Sequence, residues 1–173
     1  WKNKLIAIFD FINAENINQI IKKNDIVGQI GLLSIDIDGN DYWVWKNIDI
    51  IQPDIVIIEY NARLGFEKSL TIPYDKNFKR SFGKNKIFYG ASLNALYKLG
   101  TEKGYNLVAT NLNGNNAFFI KKDLLNNTNI VSKLPKDCFN VNTFSEILEV
   151  NGNIIKNEKL EKELIEKYPF IEV

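Results

Sequence analysis

The strongest constraint on the fold is a pair of short Ile-rich apolar runs, residues 32–37 (LLSIDI) and 55–60 (IVIIEY), each ending in acid. Runs of this length and composition read as strands of a parallel sheet, buried on both faces. The first leads into Asp36-Ile37-Asp38-Gly39-Asn40-Asp41 and the second into Glu59-Tyr60-Asn61. Between them lie a short Trp-rich helical segment over residues 41–48 and Pro53. A right-handed crossover makes the two strands run the same way, so their polar C-terminal ends lie side by side. In open α/β sheets that rim is where ligands bind.

The rest of the chain supplies the frame. Residues 4–12 (KLIAIFDFI) read as a further strand, followed by Asn13 as a cap and a helix over residues 14–23. In that helix Ile17, Ile20 and Ile21 share a face, with Glu15 near the start and two lysines at the end, in keeping with the macrodipole. Residues 24–31 read as a turn. Residues 62–88 carry Gly65, Pro73 and Gly83 and scattered cations (Lys76, Lys79, Arg80, Lys84, Lys86) with no sustained period. A loop of that length leaving an acidic rim is expected to be a lid or a binding loop. Periodicity returns in a helix over residues 91–103, closed by Gly104. A hairpin follows, with strands 105–110 and 116–122 joined by an Asn/Gly turn. The tail reads as a short helix over residues 144–150 and a charged amphipathic helix over residues 157–167 that packs Leu160 and Leu164 on the body.

Composition narrows the chemistry. With 173 residues, 45% of them hydrophobic, the chain can bury the core of an ordinary globular domain. The reading is an α/β body over residues 1–125 and a C-terminal extension over residues 126–173 packed on it. A net charge of +1 argues against a nucleic-acid partner, and no apolar run is long enough to cross a bilayer. The single cysteine, Cys138, excludes an internal disulfide and fits a reducing, cytoplasmic setting. The absence of histidine excludes Ser-His-Asp and Cys-His mechanisms. A general base must then be a carboxylate, a lysine or a tyrosine. Methionine is absent too and the sequence opens on Trp1, so further sequence is expected upstream.

The order strand, helix, strand, helix, strand, long loop, helix and closing antiparallel hairpin is that of the C-terminal half of the class I S-adenosylmethionine-dependent methyltransferase fold, a Rossmann-like α/β architecture. Ile35-Asp36-Ile37-Asp38-Gly39-Asn40-Asp41 resembles the I-D-V-E-G-A-E signature of FkbM-type methyltransferases, with Asp for Glu at two places. Val44, Trp45, Pro53 and Ile57-Ile58-Glu59 fall where that family has its next helix, a proline and a strand ending in Glu. Leu96 with Gly104-Tyr105, and residues 116–120, resemble its following helix end and last apolar strand. The resemblance spans residues 4–125, with residues 4–12 at the family's third strand. The family's glycine-rich turn and ribose-binding acid have no counterpart here. They are expected ahead of Trp1, and the fragment alone is expected to be inactive.

By that resemblance the reaction is O-methylation of a sugar or another small hydroxyl-bearing acceptor, with S-adenosylmethionine as cofactor. Asp36, Asp38 and Glu59 are the expected catalytic carboxylates, because an alcohol must lose its proton as the methyl arrives. Asp41, Asn61, Trp43 and Tyr89 are expected at the acceptor, and Asn13 and Glu15 where the class contacts adenine. Each has a plainer role available: Asp36 and Asp38 as caps, Asn13 and Glu15 as a helix cap and first-turn acid, Ser92 as a cap. Asp36 or Asp38 with Glu59 and Asn61 has the oxygen donors for Mg²⁺ or Ca²⁺, but no residue is assigned to a metal. The DxDG start also resembles haloacid-dehalogenase-type phosphatases, although no later Gly-Asp pair follows and Asn40 replaces the usual Thr. A DxD glycosyltransferase fragment and a non-catalytic α/β module complete the alternatives. An open sheet edge is expected to favour self-association.

Overall fold

A computed structural model describes residues 5–80, 87–126, 128–142, 148–150, 153–155 and 158–173. Its elements, in chain order, are α1 (Ile17–Lys23), β1 (Gly28–Ile35), α2 (Asp41–Asn47), β2 (Ile51–Glu59), a 3₁₀ turn (Ala62–Leu64), β3 (Leu70–Thr71) and α3 (Leu93–Glu102). Then come β4 (Tyr105–Thr110), β5 (Asn116–Lys121), α4 (Lys122–Leu125), α5 (Pro135–Cys138), β6 (Leu148–Val150), β7 (Asn153–Ile155), α6 (Glu158–Lys167) and β8 (Ile171–Glu172). The architecture is mixed α/β, built on a four-stranded sheet of order β1-β2-β5-β4. β1 and β2 are parallel, with Ile35 opposite Ile58, and β5 runs antiparallel to both β2 and β4.

The central pair therefore runs in one direction, as the crossover argument requires. Both strands are longer than their apolar runs: β1 starts at Gly28, inside the expected turn, and β2 at Ile51. Pro53 lies within β2 rather than before it. It sits where β2 has only β1 as a neighbour, since pairing to β5 begins at Ile55, and a proline is tolerated where one flank is open.

Register decides which side chains share a face. Ile35, Val56, Ile58, Leu107, Ala117 and Phe119 all point to one face and all are buried. Trp45 of α2 meets the Phe119 ring at 5.0 Å and the Tyr105 ring at 6.0 Å, and Leu93, Leu96 and Leu99 of α3 complete the core. The opposite face carries Leu32, Ile55, Ile57, Phe118 and Ile120, of which Leu32 is exposed and the others are half-buried. The expectation of burial on both faces is thus met on one. On the second face of β1 Leu32 meets solvent, while Ile30 is half-buried.

Residues 5–12 depart most from the sequence reading. They form no strand, and Leu5 and Phe9 are fully exposed, because no edge of the sheet takes up their backbone. The first helix starts at Ile17 rather than Ala14, after a turn in which the Asn13 side chain accepts from the backbone N–H of Glu15 and Asn16. Glu15 consequently lies outside the helix's first turn. In the tail, residues 148–150 are a strand paired with β7 rather than a helix, and residues 143–147 lie outside the described residues. α6 matches its expected span, while the packing of Leu160 and Leu164 lies outside the described side chains. β8 pairs with β3, and the Val173 N–H donates to the Ser69 carbonyl.

Two elements follow their sequence signals closely. α3 ends at Glu102, and Gly104 takes φ +88° just beyond, where its N–H returns to the Thr101 carbonyl. The β4–β5 turn is held by Asn111, whose side chain accepts from the N–H groups of Asn115 and Asn116.

The core tolerates little added volume at Gly100, where a Cβ would stand 2.8 Å from the Phe119 ring and 3.0 Å from Trp45. Gly100→Ala should gain ~1 kcal/mol of helix propensity and lose more to overpacking. The variant is expected to be less stable by about 1–2 kcal/mol, read from the urea midpoint.

Candidate functional site

Because β1 and β2 are parallel and in register, Asp36 and Glu59 leave the sheet at the same end, each one residue beyond the Ile35–Ile58 pair. The chain then has five residues, 36–40, in which to reverse before α2 begins at Asp41. Asp41 organises this turn: one carboxylate oxygen accepts from the Ile37 N–H and the other from the Gly39 N–H, both at 2.9 Å. Asp38 takes the left-handed conformation at φ +56°, which Asp adopts more readily than most side chains. Asp41 is fully buried, and burial pushes its carboxyl up to about 6 even though the backbone donors pull the other way.

Glu59 lies beside this turn, 8% exposed, and its Oε2 has no hydrogen-bond partner among the described residues. Burial is the main cause pushing its carboxyl up to about 8; Asp41, Asp36 and Asp38 add to the rise and Arg80 opposes it. Asp36 is raised as well, by burial and then by Asp38. Four carboxyls thus share one lip, and one of them, Glu59, holds its proton into the neutral range.

Residues 72–80 close over the lip. The Trp43 indole N–H donates to the Ile72 carbonyl at 2.9 Å, and the Asn40 amide donates to the Asp75 carbonyl at 2.8 Å. The Phe78 ring lies against Gly39 so closely that a Cβ there would fall 2.3 Å from Cδ1. Arg80 bonds the Asp38 carboxylate at 2.5 Å while its guanidinium stacks 3.7 Å from the centre of the buried Tyr89 ring. Tyr74 donates to the Glu15 carboxylate and accepts from the Ala14 N–H. This part of the long aperiodic stretch, residues 72–80, is a cover anchored on the site's own turn.

The expected site residues therefore divide. Asp36, Asp38 and Glu59 converge on one lip, with Tyr89 beside it through Arg80. Asp41 and Asn61 serve the backbone: the Asn61 amide donates to the carbonyls of Ile87 and Tyr89 and its oxygen accepts from the Arg63 N–H. Trp43 is half-buried under Ile72. Asn13 and Glu15 take part in the turn before α1 and in the Tyr74 contact rather than in the hydrogen bonds of the acidic turn. Ser92 caps α3 through the Ala95 N–H, and its hydroxyl also accepts from Leu70 and donates to Lys68. Arg80, Asn40 and Phe78 went unassigned in the sequence reading. Arg80 was one cation among several in an aperiodic loop, and nothing local marks it. Among the described residues no group of three or more acid or thiol side chains is arranged to hold a metal ion, and no helix is long and apolar enough to cross a membrane.

Comparison with family models, with curated proteins and with solved structures finds no match.

The three raised carboxyls, Asp36, Asp41 and Glu59, give stability a sign with pH. A carboxyl whose pKa is higher folded than unfolded leaves the native state with the extra proton, so stability falls as pH rises from about 4.5 to about 8. Glu59→Gln removes most of that slope. Between pH 5 and pH 9 the wild-type urea midpoint should fall, and at pH 9 the variant should exceed wild type by more than about 1 kcal/mol.

Proposed function

We propose that this protein carries the acceptor side of an S-adenosylmethionine-dependent O-methyltransferase resembling the FkbM type, acting on a sugar or another small hydroxyl-bearing molecule. The observation that carries the proposal is Glu59: a nearly buried carboxyl with an unpartnered oxygen, at the C-terminal end of one of two parallel strands, next to Asp36 and Asp38. The sheet order, a parallel pair completed by the antiparallel β5 of a C-terminal hairpin, accords with the C-terminal half of a class I methyltransferase.

In this reading Glu59 is the general base. Its proton affinity, near 8, suits removal of a hydroxyl proton at neutral pH, because a base works best with a pKa near the working pH. Asp36 and Asp38 orient the acceptor hydroxyl, Asp38 being held in place by Arg80. Asp41 keeps the turn in shape, and the cover formed by residues 72–80 limits water at the lip. The cofactor would supply an electrophilic methyl group. Its glycine-rich cradle has no counterpart in residues 1–173, and Asn13 and Glu15 are engaged locally, so no step is assigned to residues contacting it.

A second proposal concerns association. β1 is an edge strand with Leu32 exposed in it and Ile26 and Val27 exposed just before it, and residues 5–11 add further exposed apolar side chains. We propose that this edge drives self-association, seen as an apparent mass in light scattering that rises with concentration and falls on Leu32→Lys.

Calorimetric titration of S-adenosylhomocysteine into this protein, and into the product of its complete reading frame, tests the methyltransferase reading. Saturable heat in at least one of them supports it. No heat in either, together with Mg²⁺-dependent hydrolysis of p-nitrophenyl phosphate, replaces it with the phosphatase alternative. In a protein that transfers methyl groups, Glu59→Gln should lower kcat by about 10²–10⁴-fold, while the conservative Asp41→Asn should act mainly on the urea midpoint.

A further inference from the structure

Residues 168–173 run back to the root of the cover. β8 pairs antiparallel with β3, Glu172 opposite Leu70 and Ile171 opposite Thr71, and the Val173 N–H donates to the Ser69 carbonyl at 2.9 Å. On its other side this root is tied to residues 90–91, through a Thr71–Ala91 bridge and the Ile72 N–H on the Gly90 carbonyl at 3.1 Å. The cover starts at Ile72, whose carbonyl takes the Trp43 indole N–H. A tail pinned on β3 therefore fixes where the cover leaves the body. The same tail reaches the cover a second time, through rings. Tyr168 stacks on Phe88 with 5.1 Å between ring centres and 18° between planes, and Phe170 meets the same ring at 5.1 Å. Phe88 in turn meets Phe78, the ring that lies on Gly39, at 6.1 Å and edge to face. The backbone of Phe88 is held on both sides, because the buried Asn61 amide donates to the carbonyls of Ile87 and Tyr89.

The polar contacts of the cover with the acidic turn give it little grip of their own. Asp38 and Asp75 are both exposed, and an ion pair or hydrogen bond made at an exposed position competes with water. The apolar contact of Phe78 on Gly39 is the firmer hold, and it is backed by Phe88 and the two rings of the tail. We propose, independently of any reaction, that residues 168–173 are a clamp that holds residues 72–80 over the acidic turn, with Tyr168 and Phe170 as positioning residues acting on that turn through Phe88 and Phe78. The C-terminal tail thereby sets how far Glu59 and its neighbours are shielded from solvent. The two grips are complementary: β8 holds the root of the cover at β3, and the rings hold the part that faces Gly39.

Hydrogen exchange followed by NMR on the whole chain tests the clamp, with Tyr168→Ala/Phe170→Ala as the variant. Two protons report on the cover and the turn beneath it: the Trp43 indole N–H, bonded to Ile72, and the Gly39 N–H, bonded to the Asp41 carboxylate. The rates are read at low urea, where exchange that does not respond to denaturant marks local opening rather than unfolding of the whole chain. In the double variant both protons should exchange about tenfold faster or more through such local opening. Tyr168→Phe, which keeps the ring, should match wild type. Phe170→Leu should give the same pattern more weakly, and it decides alone if the double variant does not fold. Unchanged rates at Trp43 and Gly39, with any quickening confined to residues 158–173, would overturn the clamp. So would quickening at those two protons that appears only through denaturant-sensitive unfolding, since the tail would then stabilise the body without holding the cover.

Discussion

The Asp41 carboxylate is the constraint on which the site depends. A buried acid at the first residue of α2 reaches back to the amides of Ile37 and Gly39 and so converts the end of β1 into a tight reversal. Without those two bonds, amides at the end of a parallel strand would be left with no partner away from water, at about 1–3 kcal/mol each. With them, Asp36 and Asp38 are presented on successive sides of a fixed turn. The same carboxylate adds to the field that Glu59 experiences. One side chain thus shapes the lip and sets part of its electrostatics.

Like charges gathered at a strand end are costly, and the structure offsets the cost in two ways. Arg80 supplies a cation from the covering loop, kept in position by the Tyr89 ring and by Asp38. Glu59 avoids the remaining repulsion by keeping its proton. The parallel pairing of β1 and β2 makes both devices necessary, since an antiparallel pair would have put the acids at opposite ends of the sheet.

How much of this could be read from the sequence depended on how local each signal was. The β4–β5 hairpin, α3 with its terminal Gly104, and α2 were legible because turn chemistry and helical period act over a few residues. The parallel direction of β1 and β2 followed from connection length and handedness, and with it came the shared end for Asp36, Asp38 and Glu59. Residues 5–12 misled for the opposite reason: their apolar pattern suits a strand, but a strand exists only where a neighbour accepts its backbone. Arg80 and Phe78 were illegible because their roles are long-range, set by a loop that folds back onto a turn some forty residues earlier. Asp41 and Asn61 were read as acceptor contacts, whereas their side chains are occupied by backbone groups that no sequence pattern reveals.

The seating of Phe78 on the naked backbone of Gly39 joins two properties that are separate in many proteins. The ring, the Asn40–Asp75 bond and the Arg80 contact all belong to residues 75–80, so one short segment sets both the shielding from solvent and the counter-charge at the acids. The proton on Glu59 is therefore tied to that one stretch of chain, which brings both the cover and the Arg80 charge that opposes the rise of its carboxyl.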